Sequence, residues 1–387
     1  GILLADNNIA DDVSAYVRTS TITTTSGGIA VTANYVPSIQ TVSVTAAIAA
    51  GLGGAIAGAK SSATIGGTTA AYLDSATLTA TGQPVLVQAS SDSAADPFTF
   101  AIAGGGLAVA ALVASVAVEG ATDAYAAGAS TVIAGAFDIT ATGTNLTTPR
   151  VDVTAVGGIS GAGALSSSTI SRSTSAYVGD DANLNTGTGA ITIRAETDSD
   201  ATGSTLGIGA GAISVAALKI ESTISGATTA AIGANAKVTA GDTTVSSLAN
   251  NTVDASIATA VSIGGAVSIA VILVDSTVSG ATTATIGSDA ELTTRDLTVS
   301  AQSFNTANAS PVVASVSILG GAGAGATGTA KITKDAVTAA TVASGGQISA
   351  RAISVTATAD NKAIANVRGG AGGGFAAASL LLSNTEV

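Results

Sequence analysis

The sequence predicts an all-β protein, a β-solenoid (β-helix) of about seven repeats of about 54 residues, with two or three coils in each repeat. Three observations predict it: a motif that recurs at a fixed interval, short runs in which apolar and polar residues alternate, and abundant Gly, Ser and Thr. Alternation with a period of two indicates half-buried strands, and strands in a fixed repeat indicate coils that stack on one another.

A short motif that begins with Ala or Tyr marks each repeat. Successive copies of this motif are spaced by roughly 54 residues, the regular spacing expected of a repeat architecture. Its seven copies are AYVR (15–18), AYLD (71–74), YAAG (125–128), AYVG (176–179), AAIG (230–233), ATIG (284–287) and ATVA (340–343).

Two further landmarks keep nearly the same period. A Gly cluster lies at or near Gly53, Gly105, Gly157, Gly209, Gly264, Gly320 and Gly370. An alternating run is centred on Val31, Val87, Val153, Ile193, Val245, Val299 and Val355. The run at Val153 comes late, because the interval before it is long and the interval after it is correspondingly short. We therefore expect a surface insertion in the third repeat, near residues 142–150.

These landmarks divide the chain into one continuous solenoid. Residues 1–12 are the end of a preceding repeat, and the seven repeats are 13–66, 67–120, 121–172, 173–226, 227–280, 281–334 and 335–387. Both ends of the sequence are in phase with the repeat. We expect either a window of a longer array or a subunit whose ends join the next copy in register.

The alternating run at 261–274 has two different faces. The odd positions are mostly branched and apolar, and the even ones are mostly small. We expect the small face to pack closely against another sheet, in an adjacent coil layer or a neighbouring molecule, with exposure to water as the alternative. The predicted self-association face consists of Ser262, Gly264, Ala266, Ser268 and Ala270.

The run FTFAIAGGGLAVAALVASVAV (98–118) has no charged residue and resembles a membrane span in hydropathy. Seven spans would need an excess of Lys and Arg in their cytoplasmic connections, which this chain lacks. Separate β-sandwiches of about 54 residues would bury too little surface. We therefore expect no membrane span here. The run predicts one strand, or two strands interrupted by a Gly bend at 104–106, with both faces dry.

Composition excludes most chemistry. The chain has no His and no Cys, which removes most transition-metal sites and every Ser-His or Cys-His nucleophile. A net charge of -12 with scattered Lys and Arg argues against nucleic acid and anionic membrane surfaces. Gly-rich segments lack the Lys-Ser or Lys-Thr of a phosphate-binding loop. We predict a protein that is not an enzyme and has no resident cofactor.

Two binding hypotheses are weighed against plain alternatives. Asp180 and Asp181 are candidate Ca²⁺ ligands, but their surroundings match neither an EF-hand nor a calcium β-roll, so solvated turns are favoured. A Thr-rich run at 19–25 suggests ice binding, but the corresponding residues at 74–80 and 180–186 break the Thr rank. A soluble solenoid that binds ice or carbohydrate is kept as the alternative function.

The segments AYVGDDANLN and AITIRAE, followed by a Gly-Ala-Val run, occur in fixed order. In this order the repeat resembles those of giant repetitive bacterial surface proteins, the filamentous haemagglutinin and leukotoxin-type filamentous adhesins. The resemblance implies a secreted or surface-anchored β-helical shaft, used for adhesion or in a biofilm matrix. We expect an extracellular or cell-surface structural filament that self-associates end to end and laterally. Its expected partners are copies of itself, adjoining repeats of the same chain, and host or neighbouring-cell surfaces.

Overall fold

The computed structural model describes all 387 residues except the side chains of residues 256 and 257. The described chain is all-β, with no helix. Its strands are β1 Ile2–Ala10, β2 Val13–Arg18, β3 Thr21–Thr23, β4 Ile29–Tyr35, β5 Ser38–Ile48, β6 Gly54–Gly66, β7 Thr68–Asp74, β8 Thr77–Val118, β9 Ala121–Ala127, β10 Thr131–Thr147, β11 Arg150–Ile170, β12 Ser173–Val178, β13 Asn183–Asn185, β14 Ile191–Ile224, β15 Thr228–Ile232, β16 Lys237–Val278, β17 Thr282–Ile286, β18 Glu291–Ser317, β19 Gly321–Ile332, β20 Thr338–Val342, β21 Gln347–Ser349, β22 Ala352–Ala365, β23 Arg368–Gly373 and β24 Ala376–Glu386.

All strand pairs are parallel, and each joins a residue to its counterpart 52 to 56 positions along the chain. This confirms the β-solenoid. The motif strands form a seven-stranded sheet, β2-β7-β9-β12-β15-β17-β20, and the other strands form a seventeen-stranded sheet. One ladder of the larger sheet passes through Val31, Val87, Ile139, Ile193, Val245, Val299 and Val355.

The expectation of two or three coils per repeat is wrong, because hydrogen bonds join each residue to the next repeat and one repeat therefore makes one turn. A turn of this length would enclose a wide empty interior if it were round. Instead, part of each turn doubles back on itself, as β14 does near Gly211. The two halves of each such long strand therefore pack against each other and leave only a narrow interior between them.

The expected insertion at 142–150 is also absent. Thr142 pairs with Ser90 on one side and Glu196 on the other, and Arg150 pairs with Phe98 and Ser204. The counterpart of Val87 is Ile139 in the run FDITATG (137–143), not Val153. The extra residues lie in the second repeat, where the register shifts between Ala134 and Ala136 opposite residues 80–84.

Each turn has two parts with separate apolar cores. In the first part, called the body, the seven-stranded sheet packs against the first strand segments that each turn contributes to the larger sheet. In the turn that begins at β12, the core of the body includes Val178, Leu184, Ile191 and Ile193. In the arm, an outgoing strand and a return strand pack face to face, with a core that is rich in Ala. In the same turn the outgoing strand covers residues 199–211 and the return strand residues 213–224.

A polar seam lies between the two cores. Thr228 donates to Thr197 at 2.7 Å, and the hydroxyls of Ser91 and Thr122 lie 2.7 Å apart. Arg172, fully buried at this level, donates to the carbonyls of Ala121 and Gly66 at 3.1 and 3.3 Å. Burial lowers the pKa of Arg172, and its attraction to Tyr35 and Asp123 opposes that effect.

An Asn ladder follows the same seam through the later turns. The amide of Asn251 donates to the carbonyl oxygen of Asn305 at 2.8 Å, and Asn305 donates to Asn361 at 2.8 Å. Asn251 and Asn305 are buried. Because buried amides need partners, these bonds favour one register between successive turns.

Candidate assembly surfaces

The predicted self-association face lies inside the arm. Ser262, Gly264, Ser268 and Ala270 are buried, and only Ala266, at the tip of the arm, is exposed. Contacts of this face are intramolecular: the Ser268 hydroxyl donates to the Ser262 carbonyl at 2.8 Å, across the arm. The small face does pack closely on a sheet, but that sheet is the other half of its own turn. These buried side chains are not available to a neighbouring molecule.

Close approach of the two arm strands explains why the interior is small. A Cβ added at Gly207 would lie 2.5 Å from Cδ2 of Leu218, and one at Gly203 would lie 2.6 Å from Cγ2 of Ile220. The Ser214 and Ser262 hydroxyls, in successive turns, lie 2.6 Å apart. Larger residues at such positions would force the strands apart, since protein interiors have few voids.

The charge-free run 98–118 forms one such arm. It bends at Gly104–Gly106, as predicted for two strands, with Gly105 at a φ of 158°. Its inner face, including Ala103 and Ala110, is buried. The outer face is not dry, because Ile102 and Leu107 are 37% and 43% exposed. The prediction of two dry faces is therefore wrong: Leu112 and Val116 are buried inside, but Ile102 and Leu107 lie outside.

The outer side of the return strands, here called the return face, is apolar over three ranks of residues. The first rank is Gly54, Leu107, Ile159, Ile213, Val267, Gly321 and Ala376; the second is Ile56, Val109, Gly161, Val215, Ile269, Gly323 and Ala378; the third is Gly58, Ala111, Gly163, Ala217, Val271, Gly325 and Leu380. None of these residues carries a polar side chain.

Charge appears only beyond these ranks. Lys60 and Lys219 share a fourth rank with Val113, Leu165 and Leu273. Lys219 pairs with Glu221 of its own strand, and this hydrogen bond raises the pKa of Lys219. The return face is thus an apolar sheet surface with a charged rim.

The outer side of the outgoing strands, the outgoing face, is less uniform. Val156 and Ile263 are exposed near its tip. Farther from the tip, Arg150 pairs with Asp152 at 2.7 Å in the middle of the face. The outgoing face therefore combines apolar and charged residues.

A Tyr ladder lies on the outside of the body. The rings of Tyr16, Tyr72, Tyr125 and Tyr177 stack with centroids 4.8 to 5.1 Å apart. These are the Tyr residues of the predicted repeat motif, which the seven-stranded sheet aligns. Burial, together with repulsion from Tyr125 and Asp123, raises the pKa of Tyr177 to about 12. The stacked rings stabilise the contact between four successive turns along one edge of the body.

The candidate Ca²⁺ ligands form a turn. One carboxylate oxygen of Asp180 accepts the backbone N–H of Ala234, in the next turn, at 2.7 Å. Asp181 has a left-handed φ of 59° and lies in a series of left-handed residues: Thr19, Ser75, Gly128, Asp181, Asn235, Asp289 and Gly345. Among the described residues no group of three His, Cys, Asp or Glu side chains could hold a metal ion. The two aspartates thus serve the corner at which the motif strand ends.

The last turn leaves its inner side uncovered. Val355 is 44% exposed, whereas Val299, its counterpart one turn earlier, is fully buried. Ile353 is likewise exposed, and its counterpart Leu297 is buried. The unpaired edge of β22 therefore exposes residue types that form the body core elsewhere in the chain.

Some depressions on the surface have titratable side chains in their lining, Tyr177 and Asp180 in one and Glu291 in another. A further one of about 510 Å³ is lined by Gly, Thr, Ala, Ile and Asn side chains and no titratable group. The sequence matches no model of a known protein family, and the chain matches no curated protein and no solved structure. Within the part of the chain that the structure describes, no helix is long and apolar enough to cross a membrane.

Proposed function

We propose that this chain is a structural solenoid, a segment of an extracellular or cell-surface filament or adhesin shaft that lengthens by stacking turn upon turn. The observation that carries the proposal is the ladder from Val31 to Val355, which passes through every turn in parallel register. Such a ladder allows the solenoid to extend and makes it stiff, because every turn is hydrogen-bonded to the next along most of its perimeter.

Stacked side chains support the same proposal. Like residues meet in the Tyr ladder and the Asn ladder, and opposite charges meet between turns, as Arg351 of one turn does with Asp296 of the turn before at 3.0 Å. Each of these contacts stabilises the same register between turns, so a turn that joins the stack is guided to one position. The absence of Cys leaves packing and hydrogen bonds to hold the stack together.

The rise per turn limits the length that one chain can span. Parallel strands in neighbouring turns lie about 4.8 Å apart, so the seven motif strands advance the solenoid by only about 30 Å. A long shaft therefore needs further turns, supplied by more repeats of the same chain or by a second copy. The exposed edge at Val355 is the place where the next turn would bury apolar surface and pair backbone groups.

Electron microscopy tests this proposal. We expect the chain to form rods along the solenoid axis, and a head-to-tail tandem of two chains to form one rod of twice the length. Val355→Lys should stop growth at the open edge, because the charge would be buried by an added turn. Thr356→Lys, on the outer face of the same strand, is the control and should still give rods. Isolated single particles together with a tandem that forms two separate bodies would contradict the proposal.

A further inference from the structure

We propose that the return face binds the return face of a second copy, so that two solenoids pair laterally through their arms. This contact goes beyond the end-to-end stacking proposed above and does not depend on it. The inference starts from an inversion near the tip of the arm: small residues face inward there, and branched residues, including Val215 at 38% and Ile269 at 41% exposure, face outward.

The area of the return face is sufficient for a stable contact. Residues on one side of a strand are about 6.8 Å apart and turns are about 4.8 Å apart, so the three apolar ranks over seven turns cover about 690 Å². Monomeric proteins rarely expose apolar patches above roughly 300 to 600 Å². Two such faces would bury about 1,400 Å² in total, within the range of about 1,200 to 2,000 Å² for specific interfaces.

The composition of the face favours a protein sheet as its occupant. No charge lies within the first three ranks, so two copies with a net charge of -12 meet where neither carries charge. The third rank is mostly Gly and Ala and forms a shallow trough beside the branched second rank. A two-fold arrangement can place the branched rank of one copy in the trough of the other.

A second copy explains the face better than a lipid surface does. Immersing the arm in a bilayer would also immerse the outgoing face, where the Arg150–Asp152 pair would lose its water. Sheet-on-sheet pairing covers only the return face and leaves this ion pair at the surface. The Lys219–Glu221 pair then lies at the rim of the contact, where charged groups are typical of interfaces.

Molar mass in solution tests the pairing. We expect light scattering across a concentration series to give twice the chain mass of 36.3 kDa for Val355→Lys, which blocks end-to-end growth and is the background for every further variant. Ile269→Lys should give the single-chain mass, because it places a charge in the centre of the contact. Ile263→Lys is the matched control: this residue lies in the same turn with similar exposure but on the outgoing face, and the variant should keep the double mass.

Circular dichroism checks that each variant keeps its strands. If Ile269→Lys does not fold, Ile269→Thr, which keeps the branched shape, should raise the dissociation constant of the pair by at least about tenfold. A single-chain mass for Val355→Lys at every concentration would overturn the proposal, and so would loss of the pair in Ile263→Lys but not in Ile269→Lys. Neutral-lipid vesicles that bind the unpaired wild type and not Ile269→Lys would assign the face to lipid instead.

The two proposals fail separately. Val355→Lys removes the end-to-end contact and should leave the paired mass, since Val355 lies in the body rather than on the return face. Ile269→Lys should leave single rods of unchanged length. Rods without pairs would refute the lateral contact alone, and pairs without rods would refute end-to-end stacking alone.

Discussion

Substituting Gly207 tests whether the arm is held closed by its small interior. A Cβ at this position would lie 2.5 Å from Cδ2 of Leu218 and 3.1 Å from both its Cδ1 and its Cγ. Three atoms of one buried side chain are too close, so a simple rotation does not relieve the clash. We expect Gly207→Ala to lower the free energy of unfolding by about 1 to 3 kcal/mol, the usual cost of overpacking a core.

A double-mutant cycle with Leu218 removes the obstacle. Leu218→Ala alone should cost about 2 to 5 kcal/mol through lost burial and a cavity. In that background Gly207→Ala places its methyl group in vacated space, and its own cost should disappear. The expected coupling energy is therefore about 1 to 3 kcal/mol, as for residues in direct contact.

Urea unfolding followed by circular dichroism in dilute solution measures all four proteins. Gly161→Ala is the control, because a Cβ there has no atom within 4 Å. It should be neutral or stabilising by about 0.5 kcal/mol, since Ala restricts the unfolded chain. Additive costs in the cycle, or an equal loss in the control, would refute the account of the arm as two strands in contact through small residues.

The remaining predictions concern the body, the seam and the corner. Burial raises the pKa of Tyr177 above its ordinary value of 10.0 to about 12, so the contribution of Tyr177 to stability is complete below pH 10 and is lost as the pH rises towards 12. Tyr177→Phe should flatten this decline of the urea midpoint with pH. An unchanged decline would argue against the raised pKa of Tyr177. Asn305→Ala breaks ladder bonds to both neighbours and should destabilise more than Asn251→Ala, each by about 1 to 3 kcal/mol in urea unfolding; equal losses would contradict the ladder. Asp180→Ala removes the bond to the Ala234 N–H, so the thermal midpoint should fall equally with and without Ca²⁺, whereas a fall seen only with Ca²⁺ would indicate a metal site.

Much of the architecture follows from pattern alone. The AYVG-type motifs predict the seven-stranded sheet, and their Tyr residues meet in it as one ladder. The Gly bend at 104–106 was also predictable, because three consecutive Gly residues interrupt an alternating run. The pattern alone does not show that Ile139 rather than Val153 is the counterpart of Val87, because RVDVTAV and FDITATG alternate equally well and only the hydrogen-bonded register distinguishes them.

The number of coils per repeat was not predictable from strand signals, because a run such as 191–224 does not show whether its two halves belong to successive coils or to one folded arm. The contact between Leu218 and Gly207 decides this. No pattern in the sequence predicts that contact, because the position of the tip decides which residues of the two strands face each other across the arm.

Residue pattern is enough to establish a β-solenoid with a period of about 54 residues, and arm strands with one small and one branched face. Which face is inside depends on the folded structure. Alternation shows that residues lie on two sides of a strand, but it does not show which side faces the interior. In this chain the two strands of one turn approach so closely near the tip of the arm that only small residues fit between them there, and Ile269 and its neighbours are therefore on the outside.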